Sequence, residues 1–197
     1  MRLYLIRHPK PLVPTGVCYG SSDVGVDSQA IDDVMRGLDV SASSAGVLAT
    51  AGLPRGLDIY SSPLQRCTGL ARRVAQSFDC PPPVFDERLV EMHFGRWELQ
   101  GWDDIPRCEV DAWAGDTTMY RPGGGESVMD MARRVQAFYV DVLLKRRDAI
   151  VVCHAGTIRM LLACQENEAL GDIALGAVGC AVAIGYGDVV VVDCGLK

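Results

Sequence analysis

Leu3-Tyr4-Leu5-Ile6-Arg7-His8-Pro9 is the stretch on which the fold turns. Four apolar residues run straight into a cation and an imidazole. A run this short, without helical spacing, reads as a central strand, buried on both faces. Arg7 and His8 then stand at its carboxyl end, and Pro9 holds His8 in an extended backbone and forbids a simple helix start there.

The same pattern recurs downstream. Leu57 to Ser61 reads as a second strand, followed by a helix to about Phe78 with Ser62 as N-cap and Pro63 in its first position. Val84 to Leu89 reads as a short strand. Ser127 to Arg146 has the apolar stripe of an amphipathic helix, in Val128, Met131, Val135, Phe138 and Val142. Ala149 to Cys153 is a third main strand, His154-Ala155-Gly156 a turn, and Thr157 to Cys164 a helix. Another helix is placed within Gln29 to Ala51. The apolar, glycine-bearing stretch Ala174 to Val192 is read as two buried strands around a turn at Gly185 to Gly187. Alternating strands and helices predict an α/β fold, a three-layer α/β/α sandwich with a mostly parallel central sheet. The expectation is one domain over residues 1–197, with a lid-like insertion at about 91–125 that holds all three tryptophans.

Bulk properties narrow the partners. The net charge of -6 leaves no broad basic surface for nucleic acid or an anionic membrane. The first apolar run is too short for a secretory signal or a span. The eight cysteines form no Cys-x-x-Cys pair, so reduced, mostly buried thiols and a cytoplasmic location are expected. A small anionic substrate remains compatible with the charge, because a few arginines suffice to set the field of one pocket.

Ligands of parallel α/β sheets bind outside the carboxyl ends of the strands. Three such ends carry groups of chemical use: Arg7 and His8, Arg66 on the helix after the second strand, and His154. Transfer of a phosphoryl group needs a nucleophile, positive charge around the equatorial oxygens and a proton for the leaving oxygen. Imidazole, guanidinium and carboxylic acid supply these without a metal.

Five segments resemble the histidine phosphatase superfamily, the phosphoglycerate-mutase-like family, and occur in its order over residues 3 to 162. They are the strand with Arg7-His8, Tyr60-Ser61-Ser62-Pro63-Leu64-Gln65-Arg66, Glu91-Met92-His93-Phe94-Gly95-Arg96-Trp97-Glu98, Pro122-Gly123-Gly124-Gly125-Glu126-Ser127 and Val152-Cys153-His154-Ala155-Gly156-Thr157-Ile158-Arg159. The resemblance implies that His8 is the phosphorylated nucleophile, that Arg7, Arg66 and His154 hold the phosphoryl group, and that Glu91 is the proton donor and later the base. Tyr19, Ser21, Ser22 and His93 are further substrate-binding candidates. Pro9 stands where the family usually has Gly, and Lys10 where Glu often follows. Arg-His-x-x-Pro followed by Cys18-Tyr19-Gly20 resembles the α-ribazole phosphatase branch, which removes a 5'-phosphate during assembly of the cobalamin nucleotide loop. Other readings are a broad-range sugar-phosphate phosphatase, a phosphoglycerate mutase and a catalytically silent phospho-ligand module.

No metal and no cofactor are expected, since His8, His93 and His154 lack metal-ligand spacing. Gly123 to Gly125 lacks the Lys-Ser/Thr of a P-loop and reads as a turn. A small phosphorylated substrate is the expected partner; a homodimer is left open.

Overall fold

A computed structural model describes residues 1–40 and 52–195. A five-stranded sheet forms the middle layer: β1 (Arg2–Arg7), β2 (Asp58–Ser61), β3 (Val84–Phe85), β4 (Ala149–Cys153) and β5 (Val189–Asp193), in the order β3-β2-β4-β1-β5. All pairings are parallel except β1 with β5. The helices are α1 (Ser28–Val40), α2 (Gln65–Ser77), α3 (Arg107–Gly115), α4 (Val128–Leu144), α5 (Ala155–Glu166) and α6 (Leu170–Gly179). The fold is thus the α/β class read from the strand-helix alternation, with a mostly parallel sheet.

Side chains alternate across the pleat, and each set meets its own helical layer. Tyr4 and Ile6 of β1, with Ile150 and Val152 of β4, pack against Met35 and Leu38 of α1 and Leu70, Ala71 and Val74 of α2. Leu3 and Leu5, with Val151 and Cys153, pack against Val135, Phe138 and Val142 of α4, Ile158 and Leu161 of α5, and Ile173 and Ala177 of α6. Both faces are covered, so β4 and the interior of β1, Leu3 to Ile6, are apolar without alternation. Each large apolar side chain these strands remove from water contributes about 1.5–3 kcal/mol.

The helix after β2 begins at Gln65, two residues later than read from the sequence, because Leu64 is still extended (φ -64°, ψ 140°). Val84 to Leu89 splits into the two-residue β3 and a single turn of 3₁₀ helix, Glu87–Leu89, capped by the Asp86 carboxylate. His154-Ala155-Gly156 is not a free turn, since α5 starts at Ala155 with His154 in the cap position. α4 matches its reading closely, and Ser127 and Asp130 close a capping box at its start. The first of the two strands read in Ala174 to Val192 is the end of α6 instead. Its inward residues are Ile173, Ala174 and Ala177, a helical spacing that the glycines obscured. The turn at Gly185 to Asp188 and the strand after it are where expected. The reading of a helix beyond Val40 falls on residues outside those described.

Within 91–125, 3₁₀ turns at Gly95–Trp97, Trp102–Asp104 and Pro122–Gly124 frame α3. They enclose a small core of their own: Cys18, Trp97 and Ile105, edged by Phe94, Val110, Trp113 and Tyr120. Among the described residues no helix is long and apolar enough to cross a membrane. The cysteines are unpaired; Cys153 and Cys164 are buried and Cys180 is half-buried.

Candidate active site

Register brings the strand ends together. Arg7 of β1 lies opposite Cys153 of β4, and Ser61 of β2 opposite Val152, so the three strands finish level. The ladder continues one step further: His8 N–H donates to the Cys153 carbonyl and Ser62 N–H to the Val152 carbonyl, each at 3.0 Å. His8 and His154 are thereby set side by side, with ring centroids 5.1 Å apart and edge to face.

His8 is 2% exposed. Its Nδ1 lies 2.7 Å from the Pro9 carbonyl, which can only accept, so the ring proton sits on Nδ1 and Nε2 keeps its lone pair. Pro9 supplies no N–H here, but its carbonyl fixes the tautomer a nucleophile needs. Burial, then the nearby Arg66 charge, pushes the imidazole down to about 3, so the ring is unprotonated at neutral pH.

Arg66 is 0% exposed although cationic, and its surroundings explain this. Nη1 and Nη2 donate to the Ser22 and Gly20 carbonyls, and Nε donates to His154 Nδ1 at 3.2 Å. Three of its five N–H groups are thus spent on orientation and two remain. Because His154 Nδ1 accepts, its proton is on Nε2, which lies 2.9 Å from Ser62 Oγ. Burial and the Arg66 charge hold His154 well below the ordinary histidine value, so both imidazoles are neutral. Arg7 lies with its guanidinium carbon 4.0 Å from the centre of the Tyr186 ring, and Nη1 donates to the Ile184 carbonyl.

Glu91 reaches the group from the other side. Gly156 N–H donates to its Oε2 at 3.0 Å, and Met92 N–H to its Oε1 at 3.1 Å. The first turn of α5 is thus the carboxylate's seat, as expected of a helix N-terminus. A Cβ on Gly156 would come 2.3 Å from Glu91 Oε1, so this seat requires glycine.

Arg7, His8, Arg66 and Glu91 line one cavity of about 460 Å³. His154 stands directly behind, against His8, Ser62 and Arg66. The rest of the wall is mostly apolar: Val17, Tyr19, Phe94, Trp102, Trp113, Met131 and Met160 contribute. Tyr19 hydroxyl meets the Tyr186 hydroxyl at 2.9 Å. Burial, then this hydrogen bond, pushes the Tyr19 phenol up to about 12, so it brings no negative charge.

The other sequence candidates go elsewhere. Both the N–H and the hydroxyl of Ser21 and of Ser22 donate to the Glu98 carboxylate, so neither side chain is offered to the cavity. The hydrogen bonds of this candidate loop are used internally. Burial pushes the Glu98 carboxyl up, but the bonds from Ser22, Phe94 and Ser21 outweigh it and hold it below the ordinary range. His93 lines a polar depression next to the cavity, with Glu91, Arg121, Glu126 and Arg134, its Nδ1 accepting from Gly95 N–H at 3.3 Å. Glu98, weighed only as a rival to Glu91, is the fastener between loop and insertion. A Cβ on Gly20 would stand 2.1 Å from the Met92 carbonyl oxygen, so the two backbones meet there. Ser62 and Tyr186 had been read as a cap and a turn residue. The only sequence signal for Tyr186 is an aromatic ring between two glycines.

Among the described residues, no cluster of three or more His, Cys, Asp or Glu side chains has the arrangement of a metal site.

Comparison with known proteins places the chain in a family. The model of the histidine phosphatase superfamily (branch 1) matches residues 3–183. The adenosylcobalamin/α-ribazole phosphatase of Salmonella typhimurium is 27% identical over 168 residues, 83% of this chain and 78% of that protein. The α-ribazole phosphatase structure from Shigella flexneri superposes with a TM-score of 0.76 at 21% identity, over 98% of this chain and 90% of that one. A mycobacterial glucosyl-3-phosphoglycerate phosphatase superposes with a TM-score of 0.69 at 22% identity, over 88% and 83%.

Proposed function

The chain belongs to the histidine phosphatase superfamily and is a phosphatase, and from that premise we propose that it hydrolyses α-ribazole 5'-phosphate through a phosphohistidine at His8. One observation carries the reading: an unprotonated, tautomer-fixed His8 beside two guanidiniums and a carboxyl group on one cavity. His8 Nε2 attacks phosphorus and the bond to the leaving oxygen breaks. Arg7 and the two unspent N–H groups of Arg66 take the equatorial charge. Glu91 hands its proton to the leaving oxygen, then accepts one from the water that cleaves the phosphorus–nitrogen bond and frees phosphate. His154 serves as a positioning residue, locking Arg66 through its Nε–H.

The substrate assignment rests on the Cys18-Tyr19-Gly20 loop, which lines the cavity, on an aromatic wall suited to a flat base, and on the similarity to the Salmonella enzyme. A sugar-phosphate phosphatase is the second reading, favoured by the likeness of fold to the mycobacterial enzyme. The test has two arms. Rapid-quench assays with α-ribazole 5'-phosphate are expected to trap acid-labile phosphate on wild type and none on His8→Ala, whose turnover falls by more than about a thousandfold. Full activity of His8→Ala rejects the mechanism. A kcat/KM for sugar phosphates equal to or above that for α-ribazole 5'-phosphate rejects the substrate.

A further inference from the structure

Among the described residues, three buried side-chain N–H groups have no protein acceptor: Nε of Arg7, Nε1 of Trp113 and Nε of Arg159. All three residues line the cavity that holds His8. A buried donor without an acceptor is costly, so such groups are rare and each calls for a partner. Arg7 lies where the phosphoryl group sits in the mechanism above. Trp113 and Arg159 have no part in that mechanism.

Arg159 is one helical turn past Ala155 and Gly156 on α5, and these three residues share the cavity face of that helix. Its Nη2 leans on the Val182 carbonyl at 3.5 Å, a weak contact. None of the ion pairs among the described residues involves Arg7, Arg66 or Arg159. Glu91 is the one carboxylate lining the cavity. Three guanidiniums, those of Arg7, Arg66 and Arg159, line the cavity beside this carboxyl group. Arg159 is the one of the three that the mechanism does not use, and it lies one helical turn along α5 from the seat of Glu91.

We propose that Arg159 and the Trp113 indole N–H form a second subsite that holds an acceptor-bearing edge of the leaving group, and an anionic oxygen most tightly. The subsite deepens the phosphatase reading and rests on it. It makes Arg159 a specificity-determining residue: the apolar walls of Phe94, Trp102 and Met160 take the body of the leaving group, and Arg159 reads its far edge.

Phenyl phosphate, 3-carboxyphenyl phosphate and 4-carboxyphenyl phosphate separate the two ideas. Turnover of phenyl phosphate through phospho-His8 tests the phosphatase reading alone. The ratio of kcat/KM between a carboxyphenyl ester and phenyl phosphate tests the subsite. Wild type is expected to favour at least one carboxyphenyl ester by roughly tenfold, the scale of a hydrogen bond to a charged group. Arg159→Leu should bring that ratio close to one, Arg159→Lys should restore part of it, and Trp113→Phe should lower it less. Inhibition by inorganic phosphate should be unchanged in all three variants, which shows that the catalytic end is intact. No preference in wild type, or a ratio that Arg159→Leu leaves in place, overturns the proposal.

Discussion

The floor of the cavity and its wall are built by different means. Arg7, His8 and Ser62 sit at or one step past strand ends whose register is locked by parallel pairing, and His154 and Arg66 on the helices that follow. Much of the wall comes from the 17–20 loop and the 91–125 stretch, held by single fasteners: Glu98 to the Ser21–Ser22 loop, Tyr19 to Tyr186, Trp97 Nε1–H to Glu109. A sheet fixes positions cooperatively; a loop depends on a few side-chain contacts. The floor is therefore suited to chemistry common to many substrates, and the wall to choosing one of them.

That contrast can be broken experimentally. The largest effect should come from Arg66→Ala, with kcat/KM reduced by about a thousandfold, the scale of losing a charge-stabilising donor. The loss should be the same for α-ribazole 5'-phosphate and for a small ester such as p-nitrophenyl phosphate. Steady-state kinetics showing a strongly substrate-dependent loss would mean that Arg66 belongs to recognition. Trp102→Ala should behave in the opposite way: about a tenfold loss on α-ribazole 5'-phosphate, the worth of an aromatic contact, and little on p-nitrophenyl phosphate. An equal loss on both would mean that the wall supports the floor.

The smallest effect lies in pH dependence. His8 is pushed from 6.5 to about 3 in the folded protein, and His154 is lowered also. Between pH 6.5 and about 3 the unfolded chain binds protons that the folded chain refuses, so stability falls as the pH is lowered. Carboxylates such as Glu98 act in the same direction only near and below their ordinary range. Melting temperatures between pH 6.5 and 5 should thus fall for wild type and fall less for His8→Asn. Identical slopes would place the His8 titration at its ordinary value.

The same contrast explains what could be read from the sequence. β1 and β4 are buried on both faces, so their apolar runs are unmistakable, and Arg7, His8 and His154 follow as strand-end residues. Glu91 needed family resemblance, because nothing local separates it from Glu87 or Glu98. Ser21 and Ser22 were misplaced since their partner Glu98 is more than seventy positions away in the chain. Ser62 has the look of a helix cap, and only the position of His154 shows why its hydroxyl is used elsewhere. Arg159 lay inside a quoted motif without a role, because its unpaired state depends on where α6 and the segment after it run.

β5 adds a temporal consequence. It is the strand that runs against the others, pairing with β1 across most of the chain's length. Arg7 N–H donates to the Asp188 carbonyl, and its guanidinium to Ile184. On the ribosome, β1 emerges before its neighbours and must wait for β4 to satisfy one edge and for β5 to satisfy the other. Such long-range pairing slows folding. Newly made chains should therefore give Arg7 its final posture only after residue 188 has left the exit tunnel.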